Sequence, residues 1–408
     1  MTDKRRLEDL AIFGGNAAFG EALHVGRPNI GDRGRLLGRI NQSLDTKWLT
    51  NNGPFVQELE HTISEMMGVR HCIAVCNATV GLEIAAQATG LSGEVIVPSF
   101  TFVATAHALL WQGIVPIFCD VDERTHNIDP GQVERLITPR TTGIVGVHLW
   151  GRPCDVKGLE EIARKHDLRL LFDAAHAFGC SHEGTMIGNN GDAEVFSFHA
   201  TKFVNAFEGG AIVTNDGGLA DDMRLMRNFG FAGYDKILRI GTNGKMNEVS
   251  AAMGLTSLES LDAFVATNHR NYERYEQNLA GVPGIHLAPY ASDERCNYQY
   301  VILEIDRDMT RLSRDRLQEI LWAENVLARR YFYPGCHRME PYVSSPAQSV
   351  LSLPNTEYLA LRVLCLPTGM DVNVGEVDRV CDVIRVAVAY GDEINERLDH
   401  LVARGTIN

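Results

Sequence analysis

No apolar run approaches the ~20 residues that a membrane-crossing helix needs. The basic start, Met1-Thr-Asp-Lys-Arg-Arg6, is not followed by the apolar stretch of a secretory leader. A cytoplasmic protein with no membrane partner is the expectation. Positive charge is also short, because 38 Lys and Arg stand against 52 Asp and Glu, for a formal net charge of −14. Non-specific binding to nucleic acid or to an acidic membrane needs clustered positive charge, so neither is expected. Any anionic substrate must then be met by local basic groups. Paired cysteines are lacking too: there are nine, scattered and mostly inside apolar segments, as at Cys72, Cys76, Cys119 and Cys365. Free buried thiols are the expectation rather than disulfides. Cys72 and Cys76 have no Cys or His partners at zinc-site spacing, so no metal is assigned. There is no internal repeat and no appended helix-turn-helix or basic tail. Gly26-Arg-Pro-Asn-Ile-Gly31 follows no strand and so is no dinucleotide fingerprint.

What is present is a globular composition, 45% hydrophobic and 22% charged over 408 residues, enough for a large domain and a smaller one. The spacing of Phe55, Leu59, Ile63 and Met67 predicts a helix from Pro54 that Gly68 stops. Apolar runs predict strands at 71–75, 94–98, 115–119, 143–149, 169–172, 194–198 and 211–213. Helices are expected from Asn77, at 104–110 and at 156–166. Alternating strands and helices with buried apolar runs indicate an α/β fold, a mostly parallel central sheet with helices on both faces. Ligands in such sheets sit beyond the carboxyl ends of the strands. Asn77, Phe102, Asp173 and Lys202 all follow strands at that end. The expected organisation is an N-terminal arm (1–50) packed on a large α/β domain (51–255), then a smaller C-terminal α+β domain (256–408). A long helix over 255–279 would bridge the two, with a strand at 298–305, a helix at 312–322 and a final amphipathic helix at 377–389.

Lys202 stands between Val195, Phe196 and Phe198 on one side and the Gly209-Gly210 turn with its following strand on the other. Burial disfavours an ammonium, and a neutral amine can attack a carbonyl carbon. Pyridoxal phosphate is the cofactor that uses such a lysine. Upstream, an apolar strand ends at Asp173, whose carboxylate can pair with a pyridine nitrogen and keep it protonated; an Asp there can equally cap the next helix. The helix opening at Asn77-Ala-Thr79 offers free N–H groups to a phosphate, a role compatible with Thr79 as a cap. Arg27, Arg33, Arg35 and Arg39 either meet a diphosphate or line a solvated helix face.

Seven stretches in this order make the chain resemble the sugar aminotransferases of the DegT/DnrJ/EryC1/StrS family, of fold type I. They are Trp48-Leu-Thr-Asn-Asn-Gly-Pro54, Cys76-Asn-Ala-Thr79, Val97-Pro-Ser-Phe-Thr-Phe-Val-Ala-Thr105, Asp173-Ala-Ala-His176, Ser197-Phe-His-Ala-Thr-Lys202, Glu208-Gly-Gly210 and Gly241-Thr-Asn243. The resemblance implies a pyridoxal 5'-phosphate enzyme with Lys202 and Asp173 as catalytic residues. It implies cofactor contacts at His176, Ala78, Thr79, Phe102 and Ser197, with Asn243 reaching the neighbouring subunit's cofactor in a homodimer whose active sites lie at the interface. On residue type alone, Phe102 reads as core and Asn243 as a surface turn. Thr50, Tyr333 and His337 are implied near the substrate. The implied reaction moves an amino group from L-glutamate to a nucleotide-diphosphate keto-sugar, as in antibiotic deoxysugars. Lys202 stands where a dehydratase branch has histidine. Members acting at C3 carry Gly-Asp near this point, so by resemblance Phe207-Glu208-Gly-Gly with Ser197-Phe-His199 implies C4 of a dTDP-4-keto-6-deoxyhexose. A 3-keto-sugar C3 aminotransferase and a non-catalytic cofactor-binding regulator are the alternatives.

Overall fold

The computed structural model describes residues 4–344 and 351–403. Seven strands form the main sheet: β1 (His71–Val75), β2 (Glu94–Pro98), β3 (Val115–Cys119), β4 (Thr141–Val147), β5 (Arg169–Asp173), β6 (Ala193–Ser197) and β7 (Gly210–Thr214). Their order across the sheet is β3-β2-β4-β5-β6-β7-β1, and only β7 runs against its neighbours. Strands β2, β6 and β7 are buried along their whole length. Their sequences are therefore continuous apolar runs rather than alternating ones, as a sheet covered on both faces requires.

The two faces divide cleanly. Cys72, Ala74, Phe196, Ala211 and Val213 pack on α2 (Pro54–Met67) and α8 (Glu248–Leu258), on which α1 (Arg33–Thr46) also lies. Ile73, Val75, Val95, Val97, Val195 and Ile212 pack on α3 (Ala78–Ala88), α4 (Ala104–Leu110) and α7 (Gly217–Arg227). Ile96, Ile144 and Phe172 meet α5 (Pro130–Leu136) and α6 (Val156–His166). Helix α2 starts on Pro54 with Gly53 as a cap that has no side chain. The buried Glu248 carboxylate supplies the cap instead, accepting the N–H groups of Phe55 (2.9 Å) and Val56 (3.0 Å). At the other end Gly68 adopts φ 67°, the left-handed stop that its sequence position predicts.

The single helix expected over 255–279 is two. Helix α8 ends at Leu258 and α9 (Leu261–Leu279) starts anew. Ser260, at φ −104° and ψ 4°, leaves helical geometry and turns its hydroxyl back to the Thr256 carbonyl at 3.3 Å, while Glu259 faces Arg35 and Arg39 of α1. The C-terminal unit has a three-stranded antiparallel sheet, β8 (Ile285–Leu287), β9 (Val301–Ile305) and β10 (Val363–Leu366), covered by α9, α10 (Arg314–Ala323) and α12 (Val374–Ala389); α11 (Pro354–Ala360) precedes β10. Helix α12 is not the last, since α13 (Gly391–Ala403) follows it.

The N-terminal arm also departs from the expectation. Its first part packs in the C-terminal unit: Leu7, Leu10, Phe19 and Leu23 join that core. Leu23–His24 pairs in parallel with Val326–Leu327. The buried Glu324 carboxylate accepts from the N–H groups of Ala11 and Ala18, both at 2.7 Å, and pairs with Lys4 at 2.9 Å. The later part, from Gly26 through α1, lies on the large domain, where Asn29 donates to the Phe203 carbonyl and its own carbonyl accepts from Asn205. All nine cysteines are free. Among the described residues no helix is long and apolar enough to cross a membrane.

Candidate active site

Because β1, β2, β4, β5 and β6 point the same way, the residues that follow them gather at one edge of the sheet, and the arm and the C-terminal unit close over it. The result is a cavity of about 520 Å3. Ala78 and Thr79, Phe102, Asp173 and His176, and Ser197 and Lys202 all line it. Seven of the eleven residues singled out from sequence therefore meet in one place.

Lys202 lies on the loop between β6 and β7. Burial draws its ammonium down to about 8 from the ordinary 10.5, with the Asp173 carboxylate opposing the shift. Its amine donates to the Tyr300 hydroxyl at 2.9 Å. Asp173 ends β5 and is held at both oxygens, one accepting from Thr105 Oγ1 (2.7 Å) and the other from the Ala175 N–H (3.1 Å). Burial pushes its carboxyl up, while these two bonds and the positive Lys202 hold it back. His176 Nδ1 accepts the Trp150 N–H at 3.3 Å, so Nε2 carries the ring proton. Burial and the neighbouring Lys202 keep this imidazole well below its usual range, hence neutral.

At the opposite wall, α3 begins with Asn77, whose side chain accepts the Val80 N–H at 2.9 Å. The N–H groups of Ala78 and Thr79 have no acceptor among the described residues. Helix starts of this kind bind phosphate through free N–H groups and the aligned peptide dipoles. Gly210 keeps the wall thin, since a Cβ there would lie 2.8 Å from both the Ala78 nitrogen and the Phe196 carbonyl oxygen. Ser197, one strand across, accepts from the His199 N–H at 3.4 Å, and its own hydroxyl proton has no acceptor among the described residues.

Four residues are not brought to this cavity. Asn243 sits on an exposed loop that bridges to Asn228, and Thr50 is exposed ahead of α2. Tyr333 lies between the guanidiniums of Arg314 and Arg330, at 5.1 and 4.9 Å from its ring. His337 is fully buried between the Ser99 hydroxyl (2.7 Å) and Glu357 (3.1 Å), where it ties the 336–338 turn to the loop after β2. The same segment reaches the cavity through Arg329, Tyr331 and Phe332 instead. Sequence reasoning also passed over Thr105 and Tyr300. Thr105 carried a signal, a hydroxyl in the first turn of the helix after β2, at the sheet edge where β5 also ends. Tyr300 carried none, being one of two tyrosines just ahead of a strand.

A family model, DegT/DnrJ/EryC1/StrS aminotransferase, matches residues 32–385. The chain belongs to the DegT/DnrJ/EryC1/StrS aminotransferase family. Among curated relatives of this aminotransferase, dTDP-4-amino-4,6-dideoxy-D-glucose transaminase of Shigella dysenteriae is 38% identical over 363 residues, covering 89% of this chain and 98% of the relative. The protein of the same name in Escherichia coli is 37% identical over 355 residues, covering 86% and 95%. Among solved structures, that of DesI in the presence of its TDP-sugar product superposes with a TM-score of 0.93 at 51% identity, covering 96% of this chain and all of that one. Family members depend on pyridoxal phosphate in general. The cavity of this aminotransferase suits that group: an unpaired helix start for the phosphate, a held carboxylate for the ring nitrogen, and an amine of lowered basicity for the aldehyde.

Proposed function

We propose that this aminotransferase moves the amino group of L-glutamate to C4 of a dTDP-4-keto-6-deoxyhexose, with pyridoxal 5'-phosphate as cofactor. The observation that carries the chemistry is the half-buried Lys202 amine sharing one cavity with the held Asp173 carboxylate and the open start of α3. The choice of sugar is supported by the relatives named for dTDP-4-amino-4,6-dideoxy-D-glucose and by DesI, solved with a TDP-sugar. A ketone at C4 of the sugar is the substrate that such a reaction would aminate.

When bound, the cofactor supplies a ring that withdraws electrons from a carbon beside nitrogen. The residues of this chain do the rest. Lys202 would hold the group through its amine, and its Nζ, when free, would take the proton from the donor's α carbon and later return one to C4 of the sugar. Asp173 would hold a proton on the ring nitrogen, and Thr105 and the Ala175 N–H hold Asp173. His176 Nε2 would serve as a donor to the ring's phenolic oxygen. The N–H groups of Ala78 and Thr79, with the hydroxyls of Thr79 and Ser197, would hold the phosphate, and Phe102 would cover the ring. The active form is a homodimer that brings Asn243 to the partner's phosphate. The apolar side chains Phe229, Phe231, Tyr234, Ile237 and Ile240, all exposed on the preceding loop, support that contact.

The test is to incubate the loaded protein with glutamate and either dTDP-4-keto- or dTDP-3-keto-6-deoxyhexose, then to locate the new amine by NMR. A 4-amino sugar with stoichiometric 2-oxoglutarate is expected. Amination at C3 alone, or none with either sugar, refutes the assignment.

A further inference from the structure

The amine of Lys202 has one hydrogen-bond partner among the described residues, the Tyr300 hydroxyl at 2.9 Å. Nζ is 5.6 Å from the centre of that ring, so it lies off the hydroxyl end and not over the π face. The contact is a hydrogen bond, and its strength depends on the oxygen alone. Tyr300 is itself firmly placed. Its ring packs against His176 (4.4 Å between centres), Trp150 (5.4 Å) and Tyr331 (6.4 Å). The Tyr290 hydroxyl bonds the carbonyls of both Trp150 (3.0 Å) and Tyr300 (2.9 Å), fixing the backbone beneath. Lys202 belongs to the large domain and Tyr300 to the C-terminal unit, so this one bond sets the amine by reference to both.

A phenol suits an amine that changes charge. Its oxygen accepts from an ammonium, and its proton can be given to the lone pair of a neutral amine. The Tyr300 proton has no other acceptor among the described residues, and burial pushes the phenol well above its usual range, so the hydroxyl keeps that proton. We propose that Tyr300 is the positioning residue for the reacting lysine, its hydroxyl gripping the Lys202 amine as ammonium and as free base between the two proton transfers. No proton is transferred to or from Tyr300; only the direction of the bond reverses. This inference rests on the reading of Lys202 as the reacting amine.

Two readouts on Tyr300→Phe test it. In cofactor-free protein, the pH dependence of reductive methylation at Lys202, read by peptide mass spectrometry, should inflect near 8 in the parent. In the variant it should move down by about half a unit to one unit, because a hydrogen bond to a charged donor is stronger than one to a neutral amine. In the loaded enzyme kcat should fall about 10–100-fold, with the KM for glutamate changed less than about threefold, the pattern of a misplaced reacting group. An unmoved inflection, or an undiminished kcat, overturns the proposal. Should the variant not fold, 3,5-difluorotyrosine at position 300 keeps the ring and weakens the oxygen as an acceptor. A downward inflection is expected there as well, and an unmoved one overturns the proposal. If the parent has no turnover at all, the assigned reaction fails, and the methylation profile still decides the role of Tyr300.

Discussion

Burying Lys202 costs stability, and the cost can be measured. Its ammonium titrates at about 8 in the folded chain against 10.5 for a free lysine. At 1.36 kcal/mol per unit, the charged form is disfavoured by about 3 kcal/mol in the cofactor-free fold. The folded state binds fewer protons than the unfolded one between pH 8 and 10.5, so stability rises with pH across that window, and the whole penalty stands below pH 8. Lys202→Met keeps the length of the side chain and removes the charge. It also strands the Tyr300 hydroxyl, which returns about 1 kcal/mol of the gain. Cofactor-free Lys202→Met should therefore be more stable than the parent by about 2 kcal/mol at pH 7. With an unfolding entropy of about 2.1 cal/mol/K per residue, that is a rise in Tm of roughly 2–3 °C for a chain of this length. Calorimetry of both proteins stripped of cofactor, at pH 7 and again near pH 10, checks it. The gain should shrink at the higher pH, and turnover should be absent at both. A variant no more stable than the parent at pH 7, or a gain that does not shrink with pH, refutes the claim that a buried charge is stored at this site.

Three further outcomes follow from named contacts. Thr105→Val removes the 2.7 Å bond to Asp173 and pushes an already raised carboxyl higher, so the acid limb of kcat/KM should move up by about one unit; an unmoved limb would show that Thr105 does not stabilise the carboxylate. Gly210→Ala places a methyl 2.8 Å from the Ala78 nitrogen and should weaken pyridoxal phosphate binding at least about tenfold by fluorescence titration, since something in the wall must shift. Unchanged affinity would mean that the start of α3 does not hold the phosphate. Glu324→Ala leaves Lys4 buried without its carboxylate and frees the N–H groups of Ala11 and Ala18. Denaturant unfolding should lose about 3–5 kcal/mol, and a loss under about 1 kcal/mol would show that the arm is held by its apolar side chains instead.

Strands β1, β2 and β3 begin and end where the sequence predicts. For β2 the reason is burial on both faces, which demands apolar residues throughout, and even at the partly exposed β1 and β3 a continuous apolar run bounded by turn residues is visible in a single chain. The same logic made Lys202, Asp173 and the start of α3 legible, since each follows such a strand. Elements fixed by distant partners were not legible. The break between α8 and α9 depends on a serine turning back on its own helix and on Glu259 meeting Arg35 and Arg39, more than two hundred residues upstream. The placement of residues 7–23 depends on Glu324, whose carboxylate has no local signature.

Tyr333 and His337 show the limit most sharply. Sequence pointed to a segment that reaches the cavity, but to side chains within it that do not line it. Along 329–337, which side chain faces the cavity is set by what the others find elsewhere: Tyr333 is drawn between two guanidiniums of the C-terminal unit, and His337 is pinned by Ser99 and Glu357. With those two engaged, Arg329, Tyr331 and Phe332 are left to the cavity. The large domain thus supplies Lys202, Asp173 and the start of α3, while the arm and the C-terminal unit cover them. The first set can be read from strand ends, because topology alone brings strand ends together. The second cannot, because it exists only after the two units have met, and the Lys202–Tyr300 bond is one place where they do.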